Sequence, residues 1–156
     1  SMYEGGLRVP FIAVGPGVKP GGLSRVPVTG LDLFPTLAEL AGHTKPLPKS
    51  LDGGSLKSLL RNQGQGAVQR SNSFLLFHQA VARNAQTALI HGDYKLVKTW
   101  RGNRLELFDL SKSVEEDINL AEKLPGKTEE LHGLMTGHLD NVGAETRKIT
   151  TKKANQ

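Results

Sequence analysis

Cysteine is absent from the 156 residues. That excludes disulfides, thiolate metal sites and cysteine nucleophiles, while leaving the compartment open. Aromatic residues are scarce at 5%, with a single Trp. No basic cluster is interleaved with them, so the recognition features of a nucleic-acid binder are missing. No apolar run approaches the roughly 20 residues a membrane span needs. The opening residues run straight into fold-like sequence and do not read as a signal peptide. Neither nucleic acid nor membrane is therefore an expected partner. The formal charge is +5, and Arg147, Lys148, Lys152 and Lys153, in a polar tail, account for most of it.

Glycine (18) and proline (8) are frequent against 37% hydrophobic residues, the composition of a loop-rich chain. The stretch Tyr3-Glu4-Gly5-Gly6-Leu7-Arg8-Val9-Pro10 leads into Phe11-Ile12-Ala13-Val14 and closes on Gly15-Pro16-Gly17. A short apolar run between such breakers reads as a buried strand. Nothing before it in this chain can pair with it. Residues 10–15 are therefore expected to pair with another copy in self-association, to fold back on residues 31–60, or to be disordered.

Thr29-Gly30-Leu31-Asp32 has capping-box spacing, and Asp32 serves equally as N-cap because Pro35 must lie in the first turn. Leu31, Phe34, Leu37 and Ala41 then recur at helical spacing up to Gly42. Ser55 can cap a short helix carrying Leu56, Leu59 and Leu60, and residues 61–72 read as a polar linker. Strand patterns follow at Ser73–His78, Thr87–His91, Tyr94–Trp100 and Arg104–Leu110, with Gly92-Asp93 as a hairpin turn. Along Tyr94–Thr99 the two faces differ little in polarity. After a break at Leu124-Pro125-Gly126, Thr128 is expected to cap a helix whose stripe is Leu131, Leu134, Met135, Leu139 and Val142. This stripe would cover one face of a four-stranded antiparallel meander. The division expected is residues 1–60 from an α/β layer, a linker at 61–72, an α+β unit at 73–143 and a tail at 144–156.

Chemistry is sparse. His132 and His138 lie six residues apart, on different helix faces, and do not make a shared metal site. His78 ends an apolar strand, and Arg83 lies in the loop that follows, where binding groups tend to sit. A histidine bonded to backbone at a sheet edge is the structural alternative. Glu4, beside two glycines, is expected to bond backbone around a sharp turn, and Glu115-Glu116-Asp117 to form a solvated cap. No Ser-His-Asp set, Gly-x-Ser-x-Gly or P-loop is present.

Several motifs in order resemble the sulfatase family of arylsulfatase type, in the alkaline-phosphatase superfamily. They are Tyr3-Glu4-Gly5-Gly6-Leu7-Arg8-Val9-Pro10, Asp32-Leu33-Phe34-Pro35-Thr36-Leu37, Leu51-Asp52-Gly53-Gly54-Ser55-Leu56 and Gly92-Asp93-Tyr94-Lys95-Leu96-Val97. Glu106-Leu107-Phe108-Asp109-Leu110, then Glu116 with Asn119-Leu120-Ala121, complete the series. The resemblance implies the strand and helices of an α/β sulfatase core followed by a small four-stranded antiparallel sheet packed with a C-terminal helix. It implies a parent that hydrolyses sulfate esters with a formylglycine made from a Cys/Ser-x-Pro-x-Arg motif and a calcium or other divalent ion. None of those groups is in this chain, so the resemblance implies a C-terminal portion, inactive alone, partnered by a catalytic region that precedes it. A sulfate-binding lysine would come shortly before Tyr3, whose motif residues Glu4, Gly5, Gly6 and Arg8 then shape the turn behind it. His78 and Arg83 are the expected contacts to a sulfated small molecule or glycan. A periplasmic or secreted location follows from the same resemblance. The alternatives are a non-catalytic module that binds anionic glycans or serves assembly, and a phosphonate or phosphodiester hydrolase of the same superfamily.

Overall fold

The computed structural model describes residues 1–80 and 85–146. Arg83 and the basic tail from residue 147 lie outside the described residues. Two compact units emerge, one made of residues 10–73 and the other of residues 1–9 together with 74 onward. These limits do not coincide with boundaries at 60 and 72.

In the second unit four strands, β1 (Leu75–Gln79), β2 (Gln86–His91), β3 (Tyr94–Thr99) and β4 (Arg104–Asp109), pair antiparallel in sequence order. His91 faces Tyr94 across the two-residue Gly92-Asp93 turn, where Gly92 takes φ +59°. That left-handed conformation is one glycine adopts without strain. One sheet face carries the row Leu76, Leu89, Leu96 and Leu107. A helix of residues Pro125–Asn141, α4, covers it with Leu131, Met135 and Leu139, all buried. The other face carries Phe77, Ala88, Val97 and Phe108, and it is covered by Met2, Tyr3 and Leu7. Both faces of β3 are thus buried, which explains why its sequence shows so little alternation.

Two details of α4 differ from expectation. Pro125 opens the helix, since proline at N1 loses no hydrogen bond there. Thr128 sits a turn further in, its hydroxyl donating to the carbonyls of Ala121 (3.1 Å) and Leu124 (3.0 Å). Leu134 and Val142 are exposed, so the buried stripe is narrower than the apolar one.

The first unit contains a 3₁₀ turn at Gly30–Asp32, then helices α2 (Leu33–Leu40) and α3 (Lys57–Arg61). Its packing is organised by polar groups. The Asp32 carboxylate, wholly buried, accepts from the N–H of Thr29 (2.7 Å) and of Gly54 (2.9 Å). It also accepts from Arg70 Nε (2.8 Å) and Nη2 (2.7 Å). Thr36 Oγ1 takes the N–H of Leu56 at 2.8 Å. A Cβ on Gly54 would stand 2.1 Å from the Gln69 carbonyl oxygen, so only glycine fits. The polar stretch around Gln69 and Arg70 is therefore packed, not a free spacer.

Two expectations for this unit are overturned. The bonds of Asp32 and Thr36 to residues 54–56 turn that side of α2 inward. The apolar stripe of Leu31, Phe34 and Leu37 consequently faces outward and is exposed. Residues 10–15 form no strand, and Phe11, Ile12 and Val14 stand exposed. A strand takes its geometry and burial from a ladder, and the four described strands pair only among themselves. No described helix is long and apolar enough to cross a membrane.

Candidate functional site

The Tyr3–Arg8 motif is the feature the second unit is built to hold. It forms a single helical turn, α1 (Glu4–Leu7), closed by the N–H groups of Gly6 and Leu7 donating to the Tyr3 carbonyl. Gly6 is required by contact, since a Cβ there would come within 2.4 Å of the Ser1 carbonyl oxygen. Gly5 has open space around it. The turn aims Glu4 at the sheet, where Lys95 of β3 rises to meet it.

Lys95 has no exposed side-chain surface. Its ammonium lies 2.7 Å from Glu4 Oε1 and 2.8 Å from Glu116 Oε1. Glu116 Oε2 accepts the backbone N–H of Glu4 at 2.6 Å, and Arg8 Nη1 reaches Glu4 Oε2 at 3.4 Å. The result is a closed ring of two carboxylates, a buried ammonium and a backbone amide. A buried ion is tolerated when it is paired in this way, and stranding any member would be costly. Glu116 holds its place from a left-handed backbone, φ +58°, a conformation that costs a non-glycine residue of order 1–3 kcal/mol. Both carboxylates therefore depart from the sequence reading. Glu4 meets a lysine side chain and not turn amides, and Glu116 is buried and not a solvated cap.

Tyr3 makes the second fastening. Its hydroxyl donates to Glu106 Oε2 at 2.5 Å and accepts from Arg104 Nη2 at 3.3 Å. Its ring packs edge-on against Phe108, 6.1 Å between centroids. Burial, reinforced by the Glu106 carboxylate, pushes the phenol pKa up to about 12. Asn119 secures the loop that delivers Glu116, its Oδ1 accepting from the N–H groups of Leu107 (3.0 Å) and Ala121 (2.9 Å).

His78 lies on the opposite face of the sheet, under α4. Trp100 Nε1 donates to Thr87 Oγ1 at 2.8 Å, and His78 Nδ1 shares a hydrogen bond with the same hydroxyl, also at 2.8 Å. Burial draws the imidazole pKa below its ordinary value, with the Glu145 backbone acting against it. In the same row Lys98 Nζ sits 2.7 Å from His132 Nε2 and 4.6 Å from the Trp100 ring centroid. Burial lowers the pKa of Lys98, and burial with the Lys98 charge lowers that of His132. The structure thus separates His78 from the Tyr3–Arg8 motif by the thickness of the sheet. Lys95, which the sequence offers only as one member of the Gly92–Val97 motif, is the buried cation that joins both carboxylates.

The C-terminal family of N-sulphoglucosamine sulphohydrolase matches residues 1–144. The chain belongs to the sulfatase family. It is 35% identical over 138 residues to a sulfatase of Formosa agariphila, with 81% of this chain and 25% of that protein covered. It is 34% identical over 140 residues to arylsulfatase K of Xenopus laevis, with 84% and 26% covered. A solved 2-O GAG sulfatase superposes with a TM-score of 0.62 at 27% identity, over 86% of this chain and 30% of that one. The sulfatase chain described here therefore spans about a quarter of the length of these curated relatives. The motif Tyr3–Arg8 and its partners Lys95, Glu106 and Glu116 all lie within the matched residues.

Proposed function

We propose that this chain is the C-terminal portion of a sulfate-ester hydrolase and that its task is to fix the Tyr3–Arg8 turn against a rigid sheet. The observation that carries this reading is the Glu4–Lys95–Glu116 ring, whose buried ammonium ties the turn to β3 and to the loop after β4. In the sulfatase pattern a sulfate-binding lysine comes shortly before that turn. A turn pinned at both Tyr3 and Glu4 would hold such a lysine to the tolerance a reacting sulfate needs.

The calcium ion and formylglycine of the family do not fit the residues present. The sequence holds neither a cysteine nor a Ser-x-Pro-x-Arg motif to be converted, and among the described residues no three His, Cys, Asp or Glu side chains are grouped to hold a metal. A preceding catalytic region is the proposed partner that supplies both. The proposed substrate is a sulfated glycan, in keeping with the 2-O GAG sulfatase among the structural neighbours. His78 and Arg83 are proposed as substrate contacts from the C-terminal side. The parent is proposed to work in the periplasm or outside the cell. Its sequence relatives favour sulfate over phosphonate esters as the bond cleaved.

The test is the coding sequence upstream of Ser1. The proposal expects a Cys/Ser-x-Pro-x-Arg motif and a lysine a few residues before Tyr3. A natural start codon immediately before Ser1 would refute it.

A further inference from the structure

Beneath α4 lies a cation that no carboxylate answers. His78, Thr87, Lys98 and Leu105 are register neighbours across the four strands, and Lys98 is only 6% exposed. Among the described residues its ammonium forms no ion pair with a carboxylate. It meets His132 Nε2 instead, 2.7 Å away on α4, and stands over the Trp100 ring. An ammonium has donors and no acceptor, so Nε2 must present its lone pair to a charged Lys98. The ring in that contact is neutral. A second proton on it would remove the lone pair and set two cations at hydrogen-bond distance, poorly screened by water.

The surroundings cannot absorb that charge. From β2 the row offers Thr87, whose hydroxyl is already shared by Trp100 and His78. From β4 it offers Leu105, while Arg104 and Glu106 alternate to the opposite face. Asp109, at the other end of the α4 face, is engaged by Ser111 at 2.6 Å. His78, two strands away on β1, is itself drawn toward the neutral form by burial. On α4, Thr128 and Thr136 give their hydroxyl protons to backbone carbonyls, and Glu129 is exposed. His138 packs edge-on against Phe74. The remaining hold on α4 comes from Leu131, Met135 and Leu139.

We propose that the Lys98–His132 contact is a proton-operated latch, in which protonation of His132 releases α4 from β3. The opposite face of the sheet stays closed, because the Glu4–Lys95–Glu116 ring fastens it independently. Burial and the Lys98 charge both lower the pKa of His132. The latch is therefore closed above about pH 6.5, the ordinary imidazole value, and opens as pH falls through the lower folded value. Release brings His78 and the rest of its row to solvent. The latch does not depend on the sulfate-ester reading.

The test is amide exchange of the 156-residue chain at about pH 7.5 and about pH 5, corrected for the intrinsic effect of pH. Protection at the Met135 and Leu139 amides should fall about tenfold or more relative to Leu96 and Val97 of β3. His132→Gln keeps a neutral acceptor for the ammonium and cannot titrate, so α4 should stay protected at both values. Lys98→Met removes the second cation; it should blunt the response and raise the His132 pKa followed by NMR. In His78→Gln the response should persist. Equal loss on both faces, an unchanged response in His132→Gln, or a response abolished by His78→Gln would overturn the latch.

Discussion

Replacing Asp32 by asparagine would remove one charge and almost no volume from the centre of the first unit. The carboxylate is wholly buried and receives two Arg70 bonds and two backbone N–H groups. Burial alone would raise its pKa, yet the Arg70, Gly54 and Thr29 bonds outweigh that and hold it below the ordinary carboxylate value. In the Asp32→Asn variant one oxygen gives way to an amide nitrogen that can only donate, so it opposes whichever donor it meets. Arg70, itself 12% exposed, is left as a largely buried charge without its counterion. Breaking one side of such a pair costs about 3–5 kcal/mol, and few apolar side chains in this unit offset it. The assay is native-state hydrogen exchange at the Gly54 and Thr29 amides, both of which donate to Asp32. Protection should fall by about two to three and a half orders of magnitude, at about 1.4 kcal/mol per tenfold. The amides of β3 should be unaffected. Arg70→Gln should do similar damage, and the double variant less than the sum. A loss of protection below about fivefold at Gly54 would refute the view that a carboxylate, and not an apolar core, holds this unit.

Further outcomes follow from the second unit. Lys95→Met leaves Glu4 and Glu116 facing one another without the ammonium, and should cost about 3–5 kcal/mol in urea unfolding. Adding Glu4→Gln and Glu116→Gln should recover much of that loss. The depressed pKa values of His78 and His132 mean the folded state prefers both rings neutral. Their contribution is present above about pH 6.5 and is lost as pH falls through the folded values. Urea midpoints should therefore decline from pH 7.5 toward about pH 5. A midpoint that rises over that interval would contradict the burial of the two rings. An ultraviolet titration should show one tyrosine resisting ionisation until about pH 12, with that component absent in Tyr3→Phe.

Much of the second unit was legible because its elements announce themselves locally. Gly92-Asp93 fixes a hairpin, and Leu131, Met135 and Leu139 mark the buried side of α4. The sulfatase motifs were legible as a series. What stayed hidden depended on partners distant in sequence. The pairing of Glu4 with Lys95 joins residues 91 positions apart, and nothing in either neighbourhood distinguishes a paired lysine from a solvated one. The loop position of Glu116 suggested solvent, and only the left-handed backbone there turns its carboxylate inward. Helix α2 misled for the opposite reason. Its strongest periodic signal, Leu31, Phe34 and Leu37, is exposed, because Asp32 and Thr36 decide which side of the helix meets the rest of the unit. Residues 10–15 have the composition of a buried strand, but a strand needs a ladder that this sheet does not extend to them.

The most direct test of the account is sulfate release by the longer protein proposed to carry this chain. That longer protein should be produced under conditions that convert the proposed Cys or Ser to formylglycine, supplied with calcium, and assayed on p-nitrophenyl sulfate and on a phosphonate monoester. The account predicts hydrolysis of the sulfate ester, a clear preference over the phosphonate, and no turnover by the 156-residue chain alone. Turnover by the chain alone, or preferential cleavage of the phosphonate, would contradict it.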